Sequence, residues 1–143
     1  MLDIIVDAEF IEFDVAAAPG LTNQTLTDKI IVACETRGDA MAVIDLSGSY
    51  EPPHEGIDSG VNTATRTGSV DNVVNNLKDR GLNSSYGCAF FPFVQVRDTT
   101  SDAILFVPPS VVAVGTFSSS QRKSAVWFAP AGFTRGGLSE GSA

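Results

Sequence analysis

The strongest constraint on the fold is the order of predicted elements across residues 10–46, which is strand, helix, strand with short connections. β-Branched and aromatic residues over 10–15 predict the first strand, and Pro19 and Gly20 end it. Residues 41–46 are apolar without polar alternation, which is typical of a strand covered on both faces. Two strands joined through a helix in this way predict a parallel sheet.

The helix between these strands carries its own boundary signals. Thr22 or Asn23 can cap its first turn through a side-chain oxygen. Arg37 lies in the last turn, where a cation offsets the helix dipole, and Gly38 suits the left-handed conformation that ends a helix. The predicted buried face is formed by Leu26, Ile30, Ala33 and Cys34.

The second half of the chain begins with a predicted helix over 70–80. Ser69 is its expected cap, and Gly81 is expected to end it. Apolar residues at helical spacing form the stripe that should be buried. They are Val70, Val73, Val74 and Leu77.

A hairpin and a last helix complete the predicted elements. Residues 88–98 and 103–109 predict two strands closed by the turn TTSD, and Pro92 in the first arm indicates an edge position or a bulge. Ser110 is expected to cap a helix that ends at residue 123. The predicted fold class is therefore α/β, a mixed and partly parallel sheet flanked by helices, with a β-hairpin near the C-terminal half.

Length and charge limit the organisation and the partners of the chain. Its 143 residues predict a single domain over 1–143, with a long surface loop over 47–68 where Gly, Pro, Ser and Thr follow no period. The net charge of −8 excludes a phosphate-neutralising surface, so no nucleic-acid partner is expected. No apolar run approaches the about 20 residues of a membrane span, so no membrane partner is expected either.

Metal ions and other cofactors are not expected. The chain has one His and two Cys, with no spacing pattern typical of a zinc site. Cys34 falls in the apolar helix pattern and Cys88 borders an apolar strand. Both are predicted to be buried free thiols.

Asp45, His54 and a Ser stand in the chain order of the subtilisin-type proteases, which makes a hydrolase the alternative function. In such a site the imidazole takes the proton of the Ser hydroxyl while the carboxylate fixes the tautomer. The local sequence argues against catalysis, because His54 lies in a loop between Pro53 and Glu55 and no Gly-Thr-Ser turn is present. The Ser candidates are Ser84, Ser85 and Ser110.

The segment AVWFAPAGFTRGGL, residues 125–138, concentrates aromatic residues near the end of the chain. Little sequence remains to cover these side chains, so they predict a covered sheet face, an interaction surface or a junction with another domain. No residue is assigned a catalytic, cofactor-binding or metal-binding role. The candidate interface residues are Trp127, Phe128, Phe133 and Arg135.

Motifs along most of the chain point to one family. The second half has Ser84–Tyr86, the aromatic strand Phe90–Val96, the turn Val107–Ser110 and the Trp-x-Ala-Pro-Ala segment Trp127–Ala131. The first half adds a Pro-Gly turn, a helix that ends in Glu-x-Arg-x-Asp and a strand that ends in Asp. Together, over residues 8–138, they resemble the tail sheath proteins of contractile bacteriophages.

This resemblance implies a subtilisin-like α/β region without proteolytic activity, and so a structural protein rather than an enzyme. It implies subunits that polymerise in helical rings around the tail tube and contract to drive it through the host envelope during genome ejection. The partners would be other copies, the tail tube and the baseplate, in a virion tail assembled in the host cytoplasm. Because sheath subunits are longer than this chain, we expect a fragment that is monomeric when isolated, with 125–143 as the junction toward a further C-terminal domain.

A contractile lattice also needs charged residues on rigid elements for lateral contacts between neighbours. The alternative for each of these residues is that it only faces solvent and makes no lateral contact, because surface ion pairs contribute only about 0–1 kcal/mol. The candidates are Glu35, Arg37, Asp39, Lys78, Asp79, Arg80, Arg97, Arg122, Lys123 and Arg135.

Overall fold

The computed structural model describes residues 2–46, 70–133, 135–138 and 141–142, so the predicted loop over 47–68 lies outside the described residues, as do His54 and Ser69. The described helices are α1 (Leu2–Val6), α2 (Gln24–Arg37), α3 (Val70–Asp79) and α4 (Pro109–Lys123). The described strands are β1 (Val15–Ala17), β2 (Met41–Asp45), β3 (Gly87–Phe90), β4 (Val94–Arg97), β5 (Ile104–Val107) and β6 (Gly141–Ser142). This content confirms the predicted α/β class.

A three-stranded parallel sheet joins two strands of the first half of the chain to one strand of the second half. Its order is β1-β2-β3, with Val15 beside Met41 and Val43 beside Cys88. The connection from β1 to β2 runs through α2, which packs on β2. The strand–helix–strand prediction is therefore confirmed, and β2 is the central strand.

Helices α2 and α4 cover opposite faces of this sheet. Side chains alternate between the two faces along a strand, so Ala42 and Ile44 share one face of β2 while Asp45 points to the other. Ala42 and Ile44 belong to the apolar cluster that α2 completes, whereas Asp45 bonds to Ser110 of α4. Coverage from both sides explains why β2 is buried from Ala42 onward.

The ends of α2 are as predicted, and its buried face is confirmed in part, because Ala33 and Cys34 are buried but Ile30 is only partly buried. The Asn23 side chain accepts a hydrogen bond from the N–H of Leu26 at 3.2 Å, and Gly38 ends the helix with a φ of 75°. The prediction that Leu26 is buried was wrong, because it lies exposed while Thr27 takes the buried position. Thr27 can be buried because its hydroxyl donates to the Asn23 carbonyl at 3.1 Å. The buried residues of α2 are Thr27, Ile31, Ala33 and Cys34.

The first predicted strand was wrong over most of its length. Helix α1 precedes it, and strand β1 begins only at Val15. The N–H groups of Phe10 and Ile11 both donate to the carbonyl of Asp7 at 3.2 Å, so this stretch turns instead of extending. As a result Phe10 stays 74% exposed.

Helix α3 lies where it was predicted, and Gly81 follows it with a φ of 61°. Its stripe was predicted wrongly in part, because Val73 is buried but Val70 and Val74 are exposed. The reason is that α3 packs only lightly against the other described elements.

The predicted arm over 88–98 is two strands in two different sheets. β3 belongs to the parallel sheet, whereas β4 belongs to an antiparallel sheet of order β5-β4-β6. Pro92 lies between β3 and β4, where its missing N–H cannot contribute to a ladder. The β4–β5 hairpin itself is confirmed, with Val94 opposite Val107.

Helix α4 begins earlier than Ser110. Pro108 occupies the N-cap position with a φ of −58°, and Pro109 is the first helical residue. A proline fits there because its fixed φ suits a helix start and its missing N–H has no partner to lose. The prediction that Ser110 caps α4 was therefore wrong, and its hydroxyl bonds elsewhere.

Candidate functional site

Asp45 forms a fully buried node at the carboxyl end of β2. Its Oδ1 accepts the N–H of Ser110 at 3.0 Å, and its Oδ2 accepts the Ser110 hydroxyl and the Gly20 N–H, each at 2.8 Å. The carboxylate thus caps α4 from a different element, where the helix has no side-chain cap of its own. It joins β2, the start of α4 and the turn that follows β1.

This arrangement differs from a Ser-His-Asp triad. Ser110 is fully buried, and its hydroxyl donates directly to the carboxylate, the position that an imidazole occupies in a triad. Ser84 accepts the N–H of Tyr86 at 3.2 Å, and Ser85 is exposed. His54 lies outside the described residues. The described geometry brings Asp45 and Ser110 together as a structural hydrogen-bond pair.

Arg37 is an internal clamp rather than a surface cation. Its Nη1 donates to the carbonyls of Ile5 at 3.0 Å and Ile11 at 2.6 Å, and its guanidinium lies 4.2 Å above the Phe13 ring. Its Nε and Nη2 donate to the two oxygens of Asp39 at 2.7 and 3.0 Å. This pairing lowers the pKa of Asp39 and raises that of Arg37. The clamp ties the N-terminal turn to the end of α2.

Arg80 is also taken up inside the fold. It donates to the Thr27 hydroxyl at 2.7 Å and pairs with Asp28, which links the end of α3 to the start of α2. Arg97 and Asp102 pair across the hairpin at 2.6 Å, although both are exposed. The candidate charges that remain on the surface without a pairing partner among the described residues are Glu35, Lys78, Asp79, Arg122 and Lys123.

The C-terminal segment displays its aromatic residues on the surface. Trp127 is 82% exposed and stacks on Phe128, with ring centroids 5.1 Å apart. The Arg135 guanidinium lies 3.4 Å from the centroid of the Phe128 ring. Phe133 is fully exposed. The structure thus brings Trp127, Phe128 and Arg135 together. Phe133 is close to them in the sequence and is exposed.

Two glycines hold this segment in a tight loop. A Cβ at Gly136 would lie 2.8 Å from the Pro130 carbonyl oxygen, and one at Gly137 would lie 2.7 Å from the Phe133 carbonyl oxygen. Only glycine allows the backbone to approach itself this closely. Pro130, Gly136 and Leu138 line a groove of about 250 Å³ together with residues of α4, whereas Trp127 and Phe133 are exposed.

None of the aromatic side chains described is fully buried. All nine Phe and the single Trp fall within the described residues, and each is exposed or only partly buried. The core of these residues consists of small side chains, chiefly Ala and Val with Ile31, Ile44 and Cys34. Since aromatic residues have the most area to bury, this distribution leaves much apolar side-chain surface accessible to solvent.

Both cysteines are free, and burial raises the pKa of each thiol. The prediction of burial is confirmed for Cys34, whereas Cys88 is only partly buried. Cys34 also lines an apolar groove of about 410 Å³ beside β1. Within the described ranges no cluster of side chains could hold a metal ion, and no helix has the length and apolar character to cross a bilayer.

No protein-family model matches the chain, and no curated protein matches it. The resemblance to sheath proteins therefore rests on the sequence motifs.

Three features of this surface and core were missed by sequence reasoning. The Asp45–Ser110 pair spans 65 residues and the Arg37 contacts to Ile5 and Ile11 span up to 32, so no local pattern indicates them. The exposure of Phe10 was also missed. The sequence feature that indicates this exposure is an acidic residue at every second or third position around Phe10. Such a spacing of charges is not compatible with a buried strand.

Proposed function

We propose that this chain is a structural component of a contractile tail sheath. Copies polymerise around the tail tube and contract to drive it through the host envelope during genome ejection. The tail tube and the baseplate are the other partners, and the protein resides in the virion tail after assembly in the host cytoplasm. It needs no cofactor and is not an enzyme.

The observation that carries this proposal is the exposure of Trp127, the first residue of the motif Trp-x-Ala-Pro-Ala, and of Phe133, which follows the motif. The backbone around Phe133 forms a tight loop, because a Cβ at Gly136 would lie 2.8 Å from the Pro130 carbonyl oxygen and one at Gly137 would lie 2.7 Å from the Phe133 carbonyl oxygen, and the same loop lines a groove with residues of α4. A solvent-facing loop would not need large apolar side chains at its tip, whereas an assembly contact would.

Negative-stain electron microscopy of the protein, expressed as its full reading frame without other tail components, tests the proposal. Hollow striated tubes are expected. Trp127→Ala combined with Phe133→Ala should abolish the tubes while the circular dichroism spectrum stays unchanged. Ile104→Ala removes an exposed apolar residue from the hairpin instead and serves as the matched control. Discrete particles without tubes from the unmodified protein would refute the sheath assignment.

A fluorophosphonate probe tests the statement that the chain is not an enzyme. The Ser110 hydroxyl is buried and donates to Asp45, so it should not react, and exposed Ser85 has no described base beside it. Stoichiometric labelling that is lost on Ser84→Ala, Ser85→Ala or Ser110→Ala would instead support the hydrolase.

A further inference from the structure

The charges of this chain are distributed unevenly between two exposed apolar regions. Residues 7–14, which we name the acidic elbow, contain four acidic residues and no basic one. Residues 122–133 together with Arg135, which we name the aromatic segment, contain three basic residues and no acidic one. Indeed no acidic residue occurs anywhere over 103–138.

Each region also presents large apolar side chains to solvent. The acidic elbow exposes Phe10 and Ile11 between its carboxylates. The aromatic segment exposes Val126, Trp127 and Phe133 beside its cations. An apolar centre with a charged rim is typical of a protein–protein contact, and here the two rims have opposite sign.

The two regions lie on opposite faces of the parallel sheet. The acidic elbow follows α1, which packs on α2, and Arg37 of α2 holds the elbow carbonyl of Ile11. The aromatic segment begins in the last turn of α4, and its Pro130 lines a groove together with residues of α4. Because α2 and α4 cover opposite faces, the two regions of one chain cannot meet each other.

We propose that the acidic elbow of one copy docks on the aromatic segment of a second copy. Two different surfaces on opposite faces make a head-to-tail contact, which leaves a free elbow and a free segment at the ends and so extends into rings or filaments. The proposal takes from the proposed function only that the partner is a second copy; the charge complementarity and the placement of the two surfaces carry the rest.

Charge reversal on each surface in turn tests the contact. The elbow variant carries Glu9→Lys, Glu12→Lys and Asp14→Lys, three exposed side chains. The segment variant carries Arg122→Glu, Lys123→Glu and Arg135→Glu. A control variant carries Glu35→Lys, Asp71→Lys and Asp79→Lys, which makes the same change in net charge at exposed sites outside the elbow.

Sedimentation velocity over a concentration series, up to the millimolar range and at two salt concentrations, measures self-association. The unmodified chain should associate at low salt and weaken by at least about tenfold at high salt. The elbow variant should lose association although its net charge is nearer to zero, whereas the control should keep it. The segment variant should lose it too. Circular dichroism identifies any variant that fails to fold, and Glu9→Gln, Glu12→Gln and Asp14→Asn then replace the elbow reversal.

The decisive measurement is the mixture of the elbow and segment variants. In the elbow variant both surfaces are positive, and in the segment variant both are negative. In the mixture, the positive elbow can meet the negative segment, and the negative elbow can meet the positive segment. The mixture should therefore associate as the unmodified chain does. Three results would overturn the proposed contact. They are self-association of either single variant, a mixture that stays monomeric, and no association of the unmodified chain. Tubes that still form from the single variants would overturn it while leaving the sheath function intact.

Discussion

Asp45→Asn tests whether the buried carboxylate node holds the sheet and α4 together. The substitution keeps the shape and one carbonyl oxygen, which can still accept the Ser110 N–H. The new amide group then faces the Gly20 N–H, where the carboxylate accepted at 2.8 Å, so two donors oppose each other. A buried donor left unpaired costs about 1–3 kcal/mol, and loss of the negative charge at the α4 N-terminus costs about 0.3–1 kcal/mol more. We therefore expect a loss of about 1.5–4 kcal/mol in the free energy of unfolding.

Companion variants separate the parts of this node. Ser110→Ala removes only the hydroxyl bond and should cost about 1.5–3 kcal/mol, because the acceptor is charged. Asp14→Asn makes the same chemical change at an exposed site and should change the free energy of unfolding by less than about 0.5 kcal/mol.

Urea unfolding followed by circular dichroism measures these free energies, and amide hydrogen exchange adds a local measurement. Asp45→Asn should speed amide exchange at Gly20 and Ser110, whose N–H groups bond to the carboxylate, more than exchange at the amides of the sheet. A loss below about 0.5 kcal/mol for Asp45→Asn, equal to that of Asp14→Asn, would show that the node contributes nothing and refute the reasoning.

Three further results follow from burial and charge. Trp127→Ala should cost less than about 1.5 kcal/mol in urea unfolding because the ring is exposed, whereas Ile31→Ala in the core should cost about 2–5 kcal/mol; equal losses would contradict the assignment of Trp127 to the surface. Because the pKa of Asp39 is lowered in the folded chain, its ion pair contributes stability that is complete above about pH 4 and is lost as the pH falls through the folded pKa. The difference in the free energy of unfolding between the unmodified chain and Asp39→Asn should therefore shrink in acid. A difference that does not change with pH would contradict this. Ellman's reagent should label the partly buried Cys88 before the buried Cys34 in the native chain, and the reverse order, shown by mass spectrometry, would contradict the burial of Cys34.

Local signals explain which parts of the fold were predictable. Asn23 and Gly38 act within one helical turn, so their roles could be inferred from neighbouring residues alone. The central strand was evident because burial on both faces removes polar residues from the sequence of β2. The hairpin was evident because its turn lies between two apolar runs.

Long-range contacts decided what the sequence left open. Ser110 is a residue type that often caps helices. Here Pro108 and Pro109 begin the helix, and the Ser110 hydroxyl donates a hydrogen bond to Asp45. Arg37 has the position of a dipole partner, but the carbonyls of Ile5 and Ile11 bring it inside. The apolar residues of 10–15 fit a strand, and only the hydrogen bonds to the Asp7 carbonyl show that the chain turns there. The exposure of Trp127 and Phe133 excludes the covered sheet face and fits the other two alternatives that the sequence allowed, an interaction surface and a domain junction.

The exposed aromatic residues would reconcile the expected monomeric state of the isolated chain with the proposed assembly. Phe10, Trp127 and Phe133 together offer roughly 500 Å² of apolar surface, since an aromatic side chain buries about 150–250 Å². At about 25 cal/mol per Å² this gives on the order of 12 kcal/mol, which is comparable with the about 4–15 kcal/mol that association costs in lost rigid-body freedom. A single contact of the proposed head-to-tail kind would therefore be close to balance and weak. In a ring or stack each copy makes several contacts but loses its freedom once, so the contacts after the first add almost their full free energy. The same surface can thus leave the lone chain monomeric and still hold a lattice together.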